Sequence, residues 1–560
     1  CGPFFFDRFQ IPDSGRQIRT PTRDIRIRVY PYRLIWYLVS GIGHRASGIR
    51  VDGWSGFATM PPILHEVERF NIEREFIMTI TKQQRMKWTR WAGICLLLIA
   101  ACTMNPATGE RQLTLLSEAQ EIQMGAQAHP EVLASFGAYD DPEWQSYIQG
   151  LGAKIAATSE RPDLNWTFTV LDDPVVNAMA LPGGYIYVNR GILAHFNSEA
   201  ELVSVLGHEI GHVTARHSVE QMSRAQLAQL GLGVVASVGE KFRQFAGLAG
   251  QGVSILFLKF GRDDENQSDT LGLRYMTRAG YDPQEMPKVF ATLDRVSESQ
   301  GLRATPQWLS THPDPGNRIG NIEARIAKLP PEQQQGAVGR ESYLERLSGM
   351  VFGDDPRQGY TVGRAYYHPE LAFRIDFPDQ WRIINQRQAV GALSPDRDAA
   401  VVLTLSDKDS PQAAFDAFFG QQGIQRGPNR GRNIYSFRAY DSETGEGRAE
   451  GLIAYLSHDG RLYQLVGYTG VETWEGYGNA MLESLSSFVK VTNRRYLEVT
   501  PATIDLVELP QSMNLTEFLR RYPSTVEIEQ LAIINGVTVE TVMDPGTLVK
   551  RVIGGELPKN

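Results

Sequence analysis

The chain has 560 residues, 42% of them hydrophobic and 21% charged, enough to bury the cores of roughly two to four domains. Its net charge is −8; with 15 Lys+Arg against 8 Asp+Glu, residues 1–101 are basic (+7), which leaves −15 for the rest. An acidic body binds polyanions poorly, so nucleic acid is set aside as a partner.

Residues 1–77 scatter Arg8, Arg16, Arg19, Arg23, Arg26, Arg28 and Arg33 with no sustained helical or strand period, and are read as a non-native or disordered leader. From Met78 the pattern changes. Lys82, Arg85, Lys87 and Arg90 precede an apolar run from Ala92 to Ala101, too short to span a bilayer comfortably, which predicts a signal peptide over 78–101. The ending Ile99-Ala100-Ala101-Cys102 resembles the bacterial lipobox. That resemblance implies a lipid on Cys102 and a membrane anchor, and Thr103 in the next position favours the outer membrane. Cysteine occurs only at Cys1, Cys95 and Cys102, so an exported body must be held by apolar cores and metal instead of disulfides.

After a polar tether over 102–116, Ser117-Glu118-Ala119-Gln120 has the form of a capping box. Asp141-Pro142 opens a second helix with Trp144, Ile148, Leu151 and Ile155 on one face. Trp166 to Val170 alternates like a strand, and Asn177 to Val188 reads as a hairpin turning at Pro182-Gly183-Gly184. Gly183, Gly184, Tyr185 and Ile186 are then a candidate edge strand to which an extended substrate pairs through main-chain hydrogen bonds. An ordinary hairpin lying under the next helix is the other reading.

That next helix carries the chemistry. Asn197-Ser198-Glu199-Ala200-Glu201 supplies a cap, and Leu202, Val203, Val205, Leu206 and Ile210 make the helix apolar. His208-Glu209-x-x-His212 places two imidazoles four residues apart on one face, where they can grip one Zn²⁺. Glu209 sits beside the remaining coordination positions and can take a proton from water. On a buried helix, two His and a Glu without a metal would be costly. Gly231 to Phe260 is apolar but broken by Glu240, Lys241 and Arg243, and is read as a buried or lid-forming helical pair, with a membrane-touching hairpin as the alternative. Glu265 and Asp269 then share a helix face: Glu265 can complete a His₂Glu site and Asp269 can accept the free N–H of a ligating His, although taken alone such a pair reads equally as a solvated face.

Together, His208-Glu209-x-x-His212, Glu265-x-x-x-Asp269 with Leu271-Gly272-x-x-Tyr275, and the upstream Asn177-Ala178-x-Ala180-x-Pro182-Gly183-Gly184-Tyr185 resemble the metallopeptidase family of the CAAX prenyl endoprotease, HtpX and BepA. The resemblance covers about Ser117 to Leu329. It implies one zinc per chain on His208, His212 and Glu265, with Glu209 as general base and Asp269 behind a ligand. Two departures, Gly261 before Arg262 and Ser268 before Asp269, remove no ligand. Thr311-His312-Pro313 matches a further family segment, which implies that His312 can take the open zinc position as a latch; a loop His that orders the following helix is the alternative. His195 and His217 are read as structural.

Residues 330–359, with Pro330-Pro331 and Gly353-Asp354-Asp355-Pro356, are read as a linker. Residues 360–495, strand-rich and ending in a helix, resemble PsbP-like α+β domains, and 500–553 resemble a LysM module, which implies either a peptidoglycan ligand or simple docking within the protein. The expected fold is α+β and multidomain: a mainly helical zincin-like domain over 117–329 with a small edge hairpin, then the two smaller units. The expected function is zinc-dependent cleavage of misfolded or unassembled envelope proteins on the periplasmic side, with an envelope chaperone or a wall-binding scaffold as rivals.

Overall fold

A computed structural model describes residues 102–229, 255–256, 258–299, 308, 311–312, 317–441 and 445–559. The leader and signal peptide expected over 1–101, and most of the stretch 231–260, lie outside the described residues. No helix among the described residues is long and apolar enough to cross a membrane.

The stretch expected as a tether is a hairpin, β1 (Cys102–Met104) paired with β2 (Arg111–Leu113). Its turn is sewn to the body. Asn105 Oδ1 accepts from Ala107 N at 2.9 Å, its Nδ2 donates to Ala215 O at 3.0 Å, and Ala107 is buried in the main core. Bonding and burial against residues far along the chain leave no free tether here.

Helix α1 (Glu118–Phe136) starts in a capping box of Ser117 and Gln120. Asp141 caps α2 (Pro142–Ala156), accepting from the amides of Glu143 and Trp144, and the apolar face buries Trp144, Ile148, Leu151 and Ile155. β3 (Thr167–Leu171), β4 (Ala178–Leu181) and β5 (Tyr185–Asn189) form a sheet in the order β3-β5-β4, with β3 parallel and β4 antiparallel to β5. Gly183 and Gly184 make the turn at φ +84° and +98°, a backbone that glycine adopts without strain. Tyr185 and Ile186 consequently lie on the central strand. The edge strand expected at Gly183 to Ile186 is instead β4, because β3 pairs with the far side of β5, a long-range choice invisible in the hairpin pattern.

Helix α3 (Glu199–Thr214) is capped by Ser198, while the Glu201 carboxylate accepts from Asn197 N at 2.7 Å. After α3 come α4 (His217–Gln229), α5 (Arg262–Arg278), α6 (Glu285–Ser299) and α7 (Arg318–Ile326). α3 is enclosed by α2, β4, α5 and α6 and is buried almost throughout. Glycines let α3 and α5 touch backbone to backbone: a Cβ on Gly207 would lie 3.0 Å from Gly272 O, and one on Gly272 would lie 2.9 Å from His208 N.

The expected linker is also built in. α8 (Arg340–Leu347) buries Tyr343, Leu344 and Leu347 in the main core, with the Tyr343 hydroxyl donating to Leu193 O. The apolar spacing Tyr343-Leu344-x-x-Leu347 overrides the Pro and Gly punctuation around it. Residues 360–495 hold a seven-stranded antiparallel sheet of β9 (Arg382–Gln386), β10 (Ala389–Leu393), β11 (Ala399–Leu405), β12 (Ile424–Gly431), β13 (Ile434–Tyr440), β14 (Gly447–His458) and β15 (Arg461–Gly470), in the order β12-β13-β14-β15-β11-β10-β9. Its two faces carry α9 (Pro411–Phe419) and α10 (Trp474–Ser486), through separate clusters that take alternate residues of the strands. A four-stranded sheet of β6 (Tyr360–Val362), β7 (Ala365–His368), β8 (Phe373–Asp376) and β16 (Val489–Lys490), in the order β16-β8-β7-β6, lies beside it.

The C-terminal part runs β17 (Ala502–Glu508), α11 (Leu515–Arg521), α12 (Ile528–Ile534), β18 (Leu548–Gly554), with β17 and β18 antiparallel. It shares one apolar core with the helices around α3. Phe352 N donates to Ala502 O, Arg295 donates to Val537 O, and the fully buried Lys550 donates to the carbonyls of Ala194 and Phe196 at 3.0 and 2.7 Å.

Candidate metal centre

His208, Glu209 and His212 lie on α3, and the close glycine crossing brings Glu265 of α5 over the same turn. One ligand atom from each of His208, His212, Glu265 and His312 lies within 4.8 Å of the others, and all four residues are buried. Nε2 of His208 and Nε2 of His212 are 3.0 Å apart, and each is 3.5 Å from a Glu265 oxygen. Bare ring nitrogens that close repel unless a cation lies between them, and a tetrahedral ion at about 2.0–2.1 Å from each suits this spacing. His312 Nδ1 adds a fourth donor, 3.3 Å from His208 Nε2 and 3.0 Å from Glu265 Oε1. Two or three imidazoles with one carboxylate are a donor set that fits zinc.

Burial dominates the electrostatics. It lowers the pKa of His208 and, further, that of His212, keeping both rings neutral, the form that binds metal. It pushes Glu209 up to about 7, with His312 working against the shift. For His312 burial acts downward but is outweighed by Glu265 and Glu209, which raise it. Asp269 is held at about 2: burial would raise it, and Arg318 with His208 overcomes that.

Asp269 Oδ1 accepts from His208 Nδ1 at 2.9 Å, which leaves His208 Nε2 bare toward the cluster. Arg318 grips Asp269 with Nε at 2.8 Å and Nη2 at 2.6 Å, reaches Glu265 Oε2 at 3.3 Å, and lies over the Phe290 ring. No metal-site motif in the sequence includes Arg318. The available signal was a cation in the first turn of a helix, against the helix dipole, six residues after His312.

Glu209 is 1% exposed, and among the described residues neither of its oxygens accepts a hydrogen bond; His312 Nε2 lies 3.6 Å from Oε1. The Trp308 ring stacks on His312 with centroids 4.2 Å apart. Of the two histidines read as structural, His195 bonds Gly191 O, whereas His217 stands 3.0 Å behind His212, Nδ1 to Nδ1. Of the expected substrate strand, Gly183 and Gly184 form a turn and Tyr185 and Ile186 lie on the central strand β5; β4 and β5 both pack beside α3, and β4 is at the edge. Cys102 begins β1.

Comparison with known proteins agrees in kind. A family model described as peptidase family M48 matches residues 142–326. The chain is similar to the beta-barrel assembly-enhancing protease of Yersinia pestis, 30% identical over 269 residues, covering 46% of this chain and 54% of that protein. It is 34% identical over 210 residues to the mitochondrial metalloendopeptidase OMA1 of Arabidopsis thaliana, covering 36% and 42%. Against OMA1 of Schizosaccharomyces pombe it is 31% identical over 250 residues, covering 43% and 70%. The chain thus spans about half the length of the first two relatives.

Proposed function

The chain belongs to peptidase family M48, a family of zinc metallopeptidases, and from that premise we propose that it is a zinc-dependent endopeptidase of the bacterial cell envelope. His208, His212 and Glu265 would hold the ion. Zinc, when bound, supplies Lewis acidity toward a water and a peptide carbonyl. Glu209 takes the proton of the attacking water and passes it to the leaving amine. Asp269 fixes the ring of His208, and an extended substrate lies along the edge strand β4.

The observation that carries this reading is the carboxylate of Glu209, buried at the ligand cluster without a hydrogen bond to either oxygen among the described residues. Such a group is costly unless something from outside the chain completes its surroundings. Glu209→Gln should lower cleavage of denatured casein by about 10²–10⁴-fold while zinc stays at about one per chain. Undiminished cleavage would exclude Glu209 as the base.

His312 is the latch in this proposal, since its ring lies among the ligands and against Glu209 and must leave to admit substrate. His312→Ala should raise casein turnover, and an unaltered rate at saturating zinc would remove the latch. A lipid on Cys102 places the enzyme on the periplasmic side of the outer membrane, where unfolded or misassembled envelope proteins are the substrates. Residues 360–495 are assigned to a PsbP-like domain and 500–553 to a LysM-like module that contacts peptidoglycan. Fatty-acid labelling and co-sedimentation with peptidoglycan are the measurements for the anchor and the wall contact.

A further inference from the structure

A chain of forced hydrogen assignments runs from the backbone of the β1–β2 hairpin to a metal ligand. Asn105 Oδ1 accepts the amide of Ala107, so the nitrogen of the Asn105 side chain is the atom that donates to Ala215 O. That nitrogen also faces Gln267 at 3.4 Å, where only the carbonyl oxygen of Gln267 can receive it. The same oxygen lies 2.9 Å from His217 Nε2, so His217 carries its hydrogen on Nε2. In the neutral ring Nδ1 is then a lone pair, 3.0 Å from His212 Nδ1 and 3.3 Å from the Ser268 hydroxyl. An acceptor at that place requires His212 to carry its hydrogen on Nδ1. Its Nε2 is thereby left bare, on the side that faces His208 and Glu265.

We propose that His217, set by Gln267 and Asn105, is a positioning residue that fixes the metal-ligating tautomer of His212. The proposal rests on the reading that His208, His212 and Glu265 hold the ion. Asp269 does the same for His208, but a carboxylate is an acceptor however it is turned, whereas an imidazole can present either a donor or an acceptor. His217 therefore needs an anchor of its own, and Gln267, itself oriented by Asn105, provides it. Ser268, at the position before Asp269, offers a second donor to the same lone pair. The hairpin that begins at Cys102 is in this way part of the support of the metal centre, through Asn105, which also bonds Ala215, 110 residues further along the chain.

The test uses the full chain carrying Glu209→Gln, so that self-cleavage does not interfere, and measures zinc affinity by competition with a chromogenic chelator. His217→Phe keeps the ring and removes the acceptor, and should weaken zinc binding about 10–100-fold. His217→Asn puts an amide oxygen near the place of Nδ1 and should recover most of that loss, which a purely space-filling role would not allow. Asn105→Ala, remote from the ligands, should give a smaller loss of the same kind. Ring nitrogen NMR of the zinc-loaded protein should show His212 protonated on Nδ1 and coordinated through Nε2, with that state depleted in Asn105→Ala even if His217→Phe fails to fold. Wild-type zinc affinity in His217→Phe, or coordination of His212 through Nδ1, would overturn the proposal. A parent chain that binds no zinc would instead defeat the metal reading on which it rests.

Discussion

Arg318 shows how a single side chain can hold a charged site together. It answers the buried carboxylates of both Asp269 and Glu265 while its guanidinium plane rests on Phe290. Arg318→Leu would leave Asp269 buried without its bidentate partner, at a cost of about 3–5 kcal/mol in denaturant unfolding. Zinc affinity should fall with it by about 10–100-fold, since His208 loses its firmly held acceptor. Arg318→Lys keeps the charge but not the fork, and should recover the stability only in part. If Arg318→Leu matched the parent in both measurements, Asp269 would not depend on this ion pair.

The crossing of α3 and α5 is what brings Glu265 to the two histidines, and it depends on missing side chains. A Cβ on Gly272 would meet the backbone nitrogen of His208 at 2.9 Å, and neither helix backbone can yield without displacing a ligand. Gly272→Val should therefore destabilise the fold by about 1–3 kcal/mol and weaken zinc binding together. Gly150, in α2, is the contrast: nothing lies within 4 Å of a Cβ there. Gly150→Ala should leave zinc binding alone and be neutral or stabilising by up to about 1 kcal/mol. Thermal melts with and without zinc check the pair, and equal behaviour of the two variants would show that the crossing tolerates a side chain. β4 belongs to this scale too: its edge position comes from how three strands choose partners, which no local pattern contains.

At the scale of the whole molecule, the C-terminal β-α-α-β part is no separate bead. Its Leu531, Ile534, Val549 and Val552 share one core with Leu202 and Leu206 of the metal-bearing helix. Lys550 is buried at that junction, facing Glu201 of α3 and Arg340 of α8, and burial pulls its pKa below the ordinary 10.5 while Glu201 opposes the shift. Between the folded value and 10.5 the unfolded chain holds more protons than the folded one, so this group makes stability rise with pH across that window. Melting followed from about pH 7.5 to about pH 9.5 should show a smaller alkaline gain in Lys550→Met than in the parent. An identical slope in the two would mean that Lys550 reaches water.

Periodicity and side-chain chemistry were enough for the caps at Ser117, Asp141 and Ser198, the turn at Gly183-Gly184, and the helical spacings of His208 with His212 and Glu265 with Asp269. These are local, because a helix turn fixes which residues share a face. Only the folded contacts show that Arg318 and His217 stand behind the ligands, that β4 is at an edge of its sheet, and that 102–116 and 330–359 are packed segments and not connectors. Each of those depends on contacts between residues far apart in the chain, where burial and hydrogen-bond satisfaction outweigh local propensity.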